Sequence, residues 1–145
     1  MNLQSFEGGY DKNLCYVLSC PKTKIAAIID PSVSITPITE YIEANDLILS
    51  KILITHTHHD HIIYLDNFLY LFPNIEIISH ENHIKKFEYP TVKISDFEVI
   101  TLGQEILIGI HTPGHYADSI CFWNKKRNLI FTGDTIFVGR TGRVL

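Results

Sequence analysis

The chain has 145 residues, a net charge of −4 and a hydrophobic content of 46%, which together predict one soluble globular domain spanning residues 1–145. Its longest basic run is Lys125-Lys126-Arg127, which argues against a nucleic-acid-binding protein. No apolar run approaches the roughly 18 residues of a membrane span, and the N-terminus lacks a secretion-signal pattern. The three cysteines form no CxxC pair, so we expect a cytoplasmic protein with reduced thiols.

The first half of the chain alternates between strand and helix patterns. Two apolar runs at residues 14–19 and 25–29 flank a short polar turn and predict a β-hairpin. Thr36 followed by Pro37 is typical of a helix N-terminus, and the apolar spacing predicts a helix that ends near Asn45. Residues 51–55 are almost continuously apolar, which is typical of a strand covered on both faces.

The second half is richer in strands. A helix is predicted at residues 62–72, where Pro73 ends it, followed by a strand at residues 75–79. A weak helix is predicted at residues 80–87, with His80 and His83 exposed on it. Four further strands are predicted at residues 98–102, 105–111, 119–123 and 129–132. This mixture predicts an α/β fold in which helices cover the sheets.

Four histidines lie close together where the strand at residues 51–55 meets the following helix: His56, His58, His59 and His61. Residues two apart in an extended segment point the same way, so the side chains of His56 and His58 can converge on one point. Asp60 and His61 can reach a neighbouring point. Imidazole and carboxylate ligands suit zinc, iron or manganese better than calcium or magnesium. The cluster therefore predicts a metal site.

Two later segments can add ligands to this site. His111-Thr112-Pro113-Gly114-His115 follows an apolar strand and ends in a Pro-Gly turn, which can direct one histidine toward the site. Phe131-Thr132-Gly133-Asp134-Thr135 places Asp134 at the end of another strand. Open α/β sheets build their sites at strand ends, so we expect both segments to meet the histidine cluster.

Together the motifs His-x-His-x-Asp-His, His-Thr-Pro-Gly-His and Thr-Gly-Asp-Thr resemble the metallo-β-lactamase superfamily, and residues 131–140 are most similar to its glyoxalase II-like branch. The resemblance implies an αββα sandwich. It also implies six metal ligands: His56, His58 and His115 for one ion, Asp60 and His61 for a second, and Asp134 as a bridge. By the same resemblance, His111 is structural and His59 is solvated.

The chain departs from the family pattern in two places. Ile62-Ile63-Tyr64 replaces a near Gly-Gly pair and narrows the space beside the metals, so we expect Tyr64 to line the site. The family's last histidine ligand comes after the Gly-Asp motif, whereas no histidine follows His115 here. We therefore expect an incomplete second layer, a weakened second metal site, and a homo-oligomer or partner covering the open edge.

The resemblance implies a hydrolase that cleaves an ester, thioester or lactone in a small-molecule substrate. One or two zinc ions are expected, with iron or manganese as alternatives. An ion held by three histidines leaves one position for water and lowers the pKa of that water to about 7. Asp60 is the expected catalytic residue, which orients or deprotonates the water. Arg140 and Arg143 are expected to bind an anionic group of the substrate, unless they belong to a solvated segment.

The sequence is also compatible with two other functions. Persulfide dioxygenases of the same superfamily hold a single iron through residues that match His56, His115 and Asp134, a facial triad of two histidines and one carboxylate. Alternatively, because one ligand is missing, the chain is a truncated and inactive family member.

Overall fold

The computed structural model describes residues 1–9, 11–83, 87 and 89–144. One sheet contains six strands: β1 (Asn2–Gly8), β2 (Asn13–Ser19), β3 (Ile25–Ile29), β4 (Ile48–Leu53), β5 (Glu76–His80) and β6 (Thr91–Ile94). A second sheet contains four strands: β7 (Val99–Leu102), β8 (Glu105–His111), β9 (Ile120–Asn124) and β10 (Leu129–Phe131). The remaining elements are two helices and a short ribbon: α1 (Ile35–Ala44), α2 (Leu65–Leu71), β11 (Ile136–Phe137) and β12 (Arg140–Thr141).

The six-stranded sheet runs in sequence order from β1 to β6. Strands β1, β2 and β3 pair antiparallel, whereas β3, β4, β5 and β6 pair parallel. The carboxyl ends of these parallel strands therefore share one edge of the sheet, where ligand sites form in open α/β sheets. Asp30 follows β3 at this edge, and the histidine-rich segment follows β4.

The core lies in two layers on opposite faces of this sheet. Both α-helices pack on one face, around Ile28, Ile52 and Phe68. The other face packs on the four-stranded sheet through residues such as Leu53 and Phe122. The consecutive residues Ile52 and Leu53 belong to different layers because side chains alternate along a strand. This explains why β4 is apolar on both faces.

The outer face of the four-stranded sheet is open. Val99, Ile106 and Ile130 are each more than half exposed on its antiparallel strands. Since both described α-helices pack on the six-stranded sheet, none of the described helices covers this face. The prediction of an α/β sandwich with an incomplete second layer is therefore confirmed. No helix among the described residues is long and apolar enough to cross a membrane.

The structure corrects several of the strand and helix predictions. Strands β1 and β6 were not predicted, because most of their side chains are exposed or polar. The predicted helix at residues 80–87 is wrong at its start: His80 ends β5, pairs with Ile94 and is only 2% exposed. Residues 84–86 of that prediction lie outside the described residues. Helix α2 begins at Leu65 rather than at residue 62, because His59–His61 form a 3-10 turn before it.

Truncating Phe68 tests the packing of α2 on the sheet. Its side chain is fully buried, so Phe68→Ala is expected to lower the free energy of unfolding by about 3–5 kcal/mol. Tyr70→Ala on the same helix is the matched control, because Tyr70 is 86% exposed. Urea unfolding of the metal-free protein measures both changes. Equal losses in the two variants would contradict this packing.

Candidate metal centre

Nitrogen atoms of three histidines converge beyond the end of β4. His58 Nδ1 lies 3.0 Å from His56 Nε2 and 3.0 Å from His115 Nε2. These separations approach the roughly 3.3 Å expected between tetrahedral ligands whose zinc–nitrogen distance is about 2.0–2.1 Å. His56 is buried, whereas His58 and His115 are half-buried and face the surface. The three side chains therefore form one ligand group that is open on one side.

A second ligand group adjoins the first and shares His56 with it. It consists of His56, His61 and Asp134, whose ligand atoms lie within 4.8 Å of one another. One oxygen of Asp134, Oδ1, lies 3.2 Å from His61 Nε2, and its Oδ2 lies 3.5 Å from His115 Nε2. Asp134 thus presents one oxygen to each group, as a bridging carboxylate does.

Two of the imidazoles are oriented by hydrogen bonds at Nδ1, the ring nitrogen that faces away from the metal position. His61 Nδ1 lies 2.8 Å from Asp30 Oδ2, and His115 Nδ1 lies 2.9 Å from the backbone carbonyl oxygen of Arg143. A carboxylate and a carbonyl only accept hydrogen bonds, so each Nδ1 carries the proton. When the imidazole carries only this proton, as metal binding requires, its Nε2 directs a lone pair into the site, which is the usual arrangement of metal-binding histidines.

Two glycines allow the chain to close around Asp134. Gly133 has a φ of +49°, and a Cβ there would lie 2.3 Å from Thr55 Oγ1. A Cβ on Gly142 would lie 1.8 Å from the backbone oxygen of Asp134. Any larger residue at either position would displace the segment that carries the carboxylate.

The buried Nε2 of His61 tests whether these residues fit a metal ion. This atom has no hydrogen-bond partner among the described residues, although Asp134 Oδ1 lies 3.2 Å from it. An unsatisfied buried polar atom costs about 1–3 kcal/mol, and a metal ion would satisfy it. The imidazole and carboxylate donors suit zinc, iron or manganese. The residues present therefore fit a divalent transition metal.

The charges around the site favour a cation. Burial lowers the pKa of His56 to about 3, and the neighbouring His61 adds to this effect. Burial also opposes protonation of His61, but the carboxylates of Asp134 and Asp30 outweigh it and raise the pKa of His61 to about 10. In the metal-free protein, a proton on His61 therefore provides the positive charge that these carboxylates stabilise.

Asp60 lies at the rim of the site and outside both ligand groups. Its Oδ2 accepts a 2.7 Å hydrogen bond from Asn13 Nδ2 and lies 3.7 Å from His61 Nε2. The side chain of Asp60 is 39% exposed. The two groups contain the other five predicted ligands, and the Asp60 carboxylate lies beside the second group, near His61.

The two predicted arginines lie beside the site. Both line a cavity of about 430 Å³ that also reaches Asp60 and His115. Arg140 borders a neighbouring cavity of about 500 Å³ as well, and its guanidinium lies 5.1 Å from the centre of the Phe137 ring. The two cavities share Asp134 as part of their walls, so they adjoin each other at this residue.

Tyr64, which the sequence predicted to line the site, is not among the residues that line these two cavities. Its backbone N–H donates a 3.0 Å hydrogen bond to the carbonyl of Pro31, and its side chain packs against the core beneath the helices. The turn at His59–His61 places Tyr64 immediately before α2 and on the helical side of the sheet.

Four other histidines lie outside the ligand groups: His59, His80, His83 and His111. His59 is exposed. His111 donates from Nε2 to the carbonyl of Ala117 at 3.0 Å, and its ring stacks on that of His80 at a centroid distance of 3.7 Å. His80, which the sequence predicted to be exposed, is therefore part of a buried contact between β5 and β8.

Sequence reasoning missed two buried carboxylates that support the ligands. Asp30 accepts hydrogen bonds from the backbone N–H and hydroxyl of Thr55 as well as from His61. Its position after a strand parallel to β4 was a usable signal, since such strand ends share one edge. Asp118 accepts hydrogen bonds from Thr57, and no periodic pattern in its loop indicates this contact.

Residues 8–145 match the metallo-β-lactamase superfamily. The chain belongs to this superfamily. It is 35% identical over 140 residues to a probable hydroxyacylglutathione hydrolase of Schizosaccharomyces pombe, covering 93% of this chain and 53% of that protein. It is 37% identical over 120 residues to a hydroxyacylglutathione hydrolase of Francisella tularensis subsp. novicida, covering 82% and 46% respectively. These relatives confirm the glyoxalase II-like resemblance, and the chain spans about half of their length.

The fold is also that of solved members of the superfamily. A crystal structure of the B3 metallo-β-lactamase BLEG-1 matches with a TM-score of 0.83 and 24% identity. The match covers 98% of this chain and 76% of that one. This likeness shows the shared fold.

Proton release tests the electrostatics of the second ligand group. Because the pKa of His61 is about 10 in the metal-free protein, this residue is protonated at pH 7 and a metal must displace that proton. Metal affinity should therefore rise with pH between 6 and 9. At pH 7, the wild-type protein should release about one more proton per bound metal than His61→Gln does. Calorimetry in buffers of different ionisation enthalpy measures this difference, and equal release from both proteins would contradict the assignment.

Proposed function

We propose that this chain carries the metal centre of a hydrolase that cleaves a thioester, with hydroxyacylglutathione as its substrate class. The observation that carries the proposal is the pair of adjoining ligand groups, which share His56 and lie on either side of Asp134. The relatives named hydroxyacylglutathione hydrolases support the choice of bond. Zinc is the proposed metal, because its usual catalytic site has three protein ligands and one open position.

In this proposal, one ion would be held by His56, His58 and His115, and a second by His61 and Asp134, whose other oxygen also reaches the first group. A bound divalent ion supplies Lewis acidity and lowers the pKa of water to about 7. Asp60 is the proposed proton acceptor, because its carboxylate is partly exposed to incoming water and is anchored by Asn13. Asp30 keeps the imidazole of His61 in the tautomer whose Nε2 faces the site.

The arginines and the cavity walls provide the proposed substrate site. A glutathione thioester carries carboxylates, which the guanidinium groups of Arg140 and Arg143 can pair with. Arg140 packs over Phe137, which restricts the positions available to its guanidinium. Leu14, Ile130 and Ile136 line the larger cavity and provide an apolar wall for the rest of the substrate.

The open face of the four-stranded sheet supports a homo-oligomer or a protein partner that covers it. The cysteines Cys15, Cys20 and Cys121 are free, which supports the proposed cytoplasmic location because thiols stay reduced there.

Activity of the purified chain tests the proposed function. Metal-free protein is reconstituted separately with zinc, iron or manganese, and the loss of thioester absorbance is followed with a hydroxyacylglutathione substrate. We expect zinc-dependent hydrolysis that His58→Ala abolishes, because this substitution removes a nitrogen shared by two close contacts in the histidine triad. A folded, metal-loaded chain that hydrolyses no thioester, ester or lactone would contradict the proposal and support an inactive family member.

An iron dioxygenase that acts on persulfides is the second candidate. The observation in its favour is the 3.5 Å separation between Asp134 Oδ2 and His115 Nε2, which with His56 supplies two imidazoles and a carboxylate. Such a site would keep its iron in the His58→Ala variant. Iron-dependent oxygen uptake with a persulfide, retained in that variant, would favour this function over hydrolysis.

Neutralising the arginines tests their role in binding substrate. Arg140→Gln and Arg143→Gln should each raise KM roughly tenfold and leave kcat nearly unchanged, because a charged hydrogen bond contributes about 1.5–3 kcal/mol to binding. Lys125→Gln is the matched control, since Lys125 lies in the turn after β9 and lines neither cavity. A thioester without carboxylates should show no change in KM. An equal rise in KM for both substrates would exclude ion pairing.

A further inference from the structure

The ligands of the histidine triad come from two separate loops. His56 and His58 follow β4, whereas His115 lies between β8 and β9. Nevertheless, the nitrogens of His58 and His115 lie only 3.0 Å apart. Contacts other than a metal ion hold the loop after β4 next to the loop between β8 and β9.

Asp118 provides such a contact from the loop that carries His115. Its carboxylate is buried, with 1% of the residue exposed. Oδ2 accepts a 2.6 Å hydrogen bond from the hydroxyl of Thr57, and Oδ1 accepts a 3.3 Å bond from the Thr57 backbone N–H. Thr57 lies directly between the ligands His56 and His58, so Asp118 binds the residue that joins them.

The backbone around Asp118 is itself fixed on both sides. Tyr116 and Ser119 exchange two hydrogen bonds of 3.2 Å across the turn. The carbonyl of Ala117 accepts the 3.0 Å hydrogen bond from His111 Nε2. The Ile120 N–H donates to the carbonyl of Thr55 at 2.8 Å, which ties the start of β9 to the histidine segment. The Asp118 carboxylate therefore acts from a rigid support.

We propose that Asp118 is a positioning residue that, through Thr57, fixes His56 and His58 relative to His115. This inference rests on the proposed metal centre and adds a residue that binds no metal. Both hydrogen bonds from Thr57 need acceptors. A carboxylate supplies two acceptor oxygens, whereas the amide of Asn offers only one. Losing one bond would let the two loops separate and widen the triad.

Cobalt binding by the complete chain tests this role without relying on activity. Thr57→Val removes the hydroxyl at nearly constant volume, and Asp118→Asn removes one acceptor. Each should raise the cobalt dissociation constant roughly 10–100-fold, as expected for losing an outer-shell partner of a metal site. Each should also change the visible absorption of bound cobalt, which reports the ligand geometry. Thr57→Ser keeps the hydroxyl and should retain both the affinity and the spectrum of the wild-type protein.

Stability measurements separate positioning from a general loss of structure. Urea unfolding of each metal-free variant gives its free energy of unfolding, with Thr39→Val as a control that removes an exposed hydroxyl on α1. Wild-type affinity and spectrum in Thr57→Val and Asp118→Asn would overturn the inference. It would also be overturned if their affinity fell only as far as their folded fraction, with an unchanged spectrum. Failure of the wild-type chain to bind cobalt would instead overturn the metal centre itself.

Discussion

The candidate site depends on two buried carboxylates that hold the segment Thr55-His56-Thr57-His58. Asp30 binds Thr55 on one side, and Asp118 binds Thr57 on the other. The threonines thus anchor the backbone, which leaves the alternate histidine side chains free to face the metal position. Asp30 additionally fixes the ring of His61. The positions of His56, His58 and His61 therefore depend on hydrogen bonds to groups that bind no metal, a common feature of preorganised metal sites.

The two sheets bring these carboxylates to the histidines. Strands β3 and β4 are parallel neighbours, so Asp30 after β3 lies beside Thr55 after β4. Asp118 comes from the other sheet, just before β9, where Ile120 bonds to the carbonyl of Thr55. Packing of Leu53 and Phe122 between the sheets stabilises this arrangement. The metal position therefore lies where an edge of the parallel sheet meets a loop of the antiparallel sheet.

Motifs close together in the sequence predicted much of the site. The alternation in His56-Thr57-His58 indicated that two rings converge, and strand ends at His111 and Phe131 indicated where His115 and Asp134 would enter. The contacts of Asp60, Tyr64 and Asp118 could not be predicted. Asp60 faces Asn13 across a distance of 47 residues in the chain, and the position of Tyr64 depends on the 3-10 turn before it. Such tertiary contacts leave no periodic signal in the sequence.

The metal content of the purified chain tests the central claim most directly. Elemental analysis under reducing conditions gives the metals bound per chain, and His58→Ala with Asp134→Asn serves as the disrupted form. The proposed metal centre predicts at least one equivalent of zinc, iron or manganese in the wild-type protein and a large loss in the double variant. A folded wild-type chain that retains no metal, even after incubation with these ions, would contradict it.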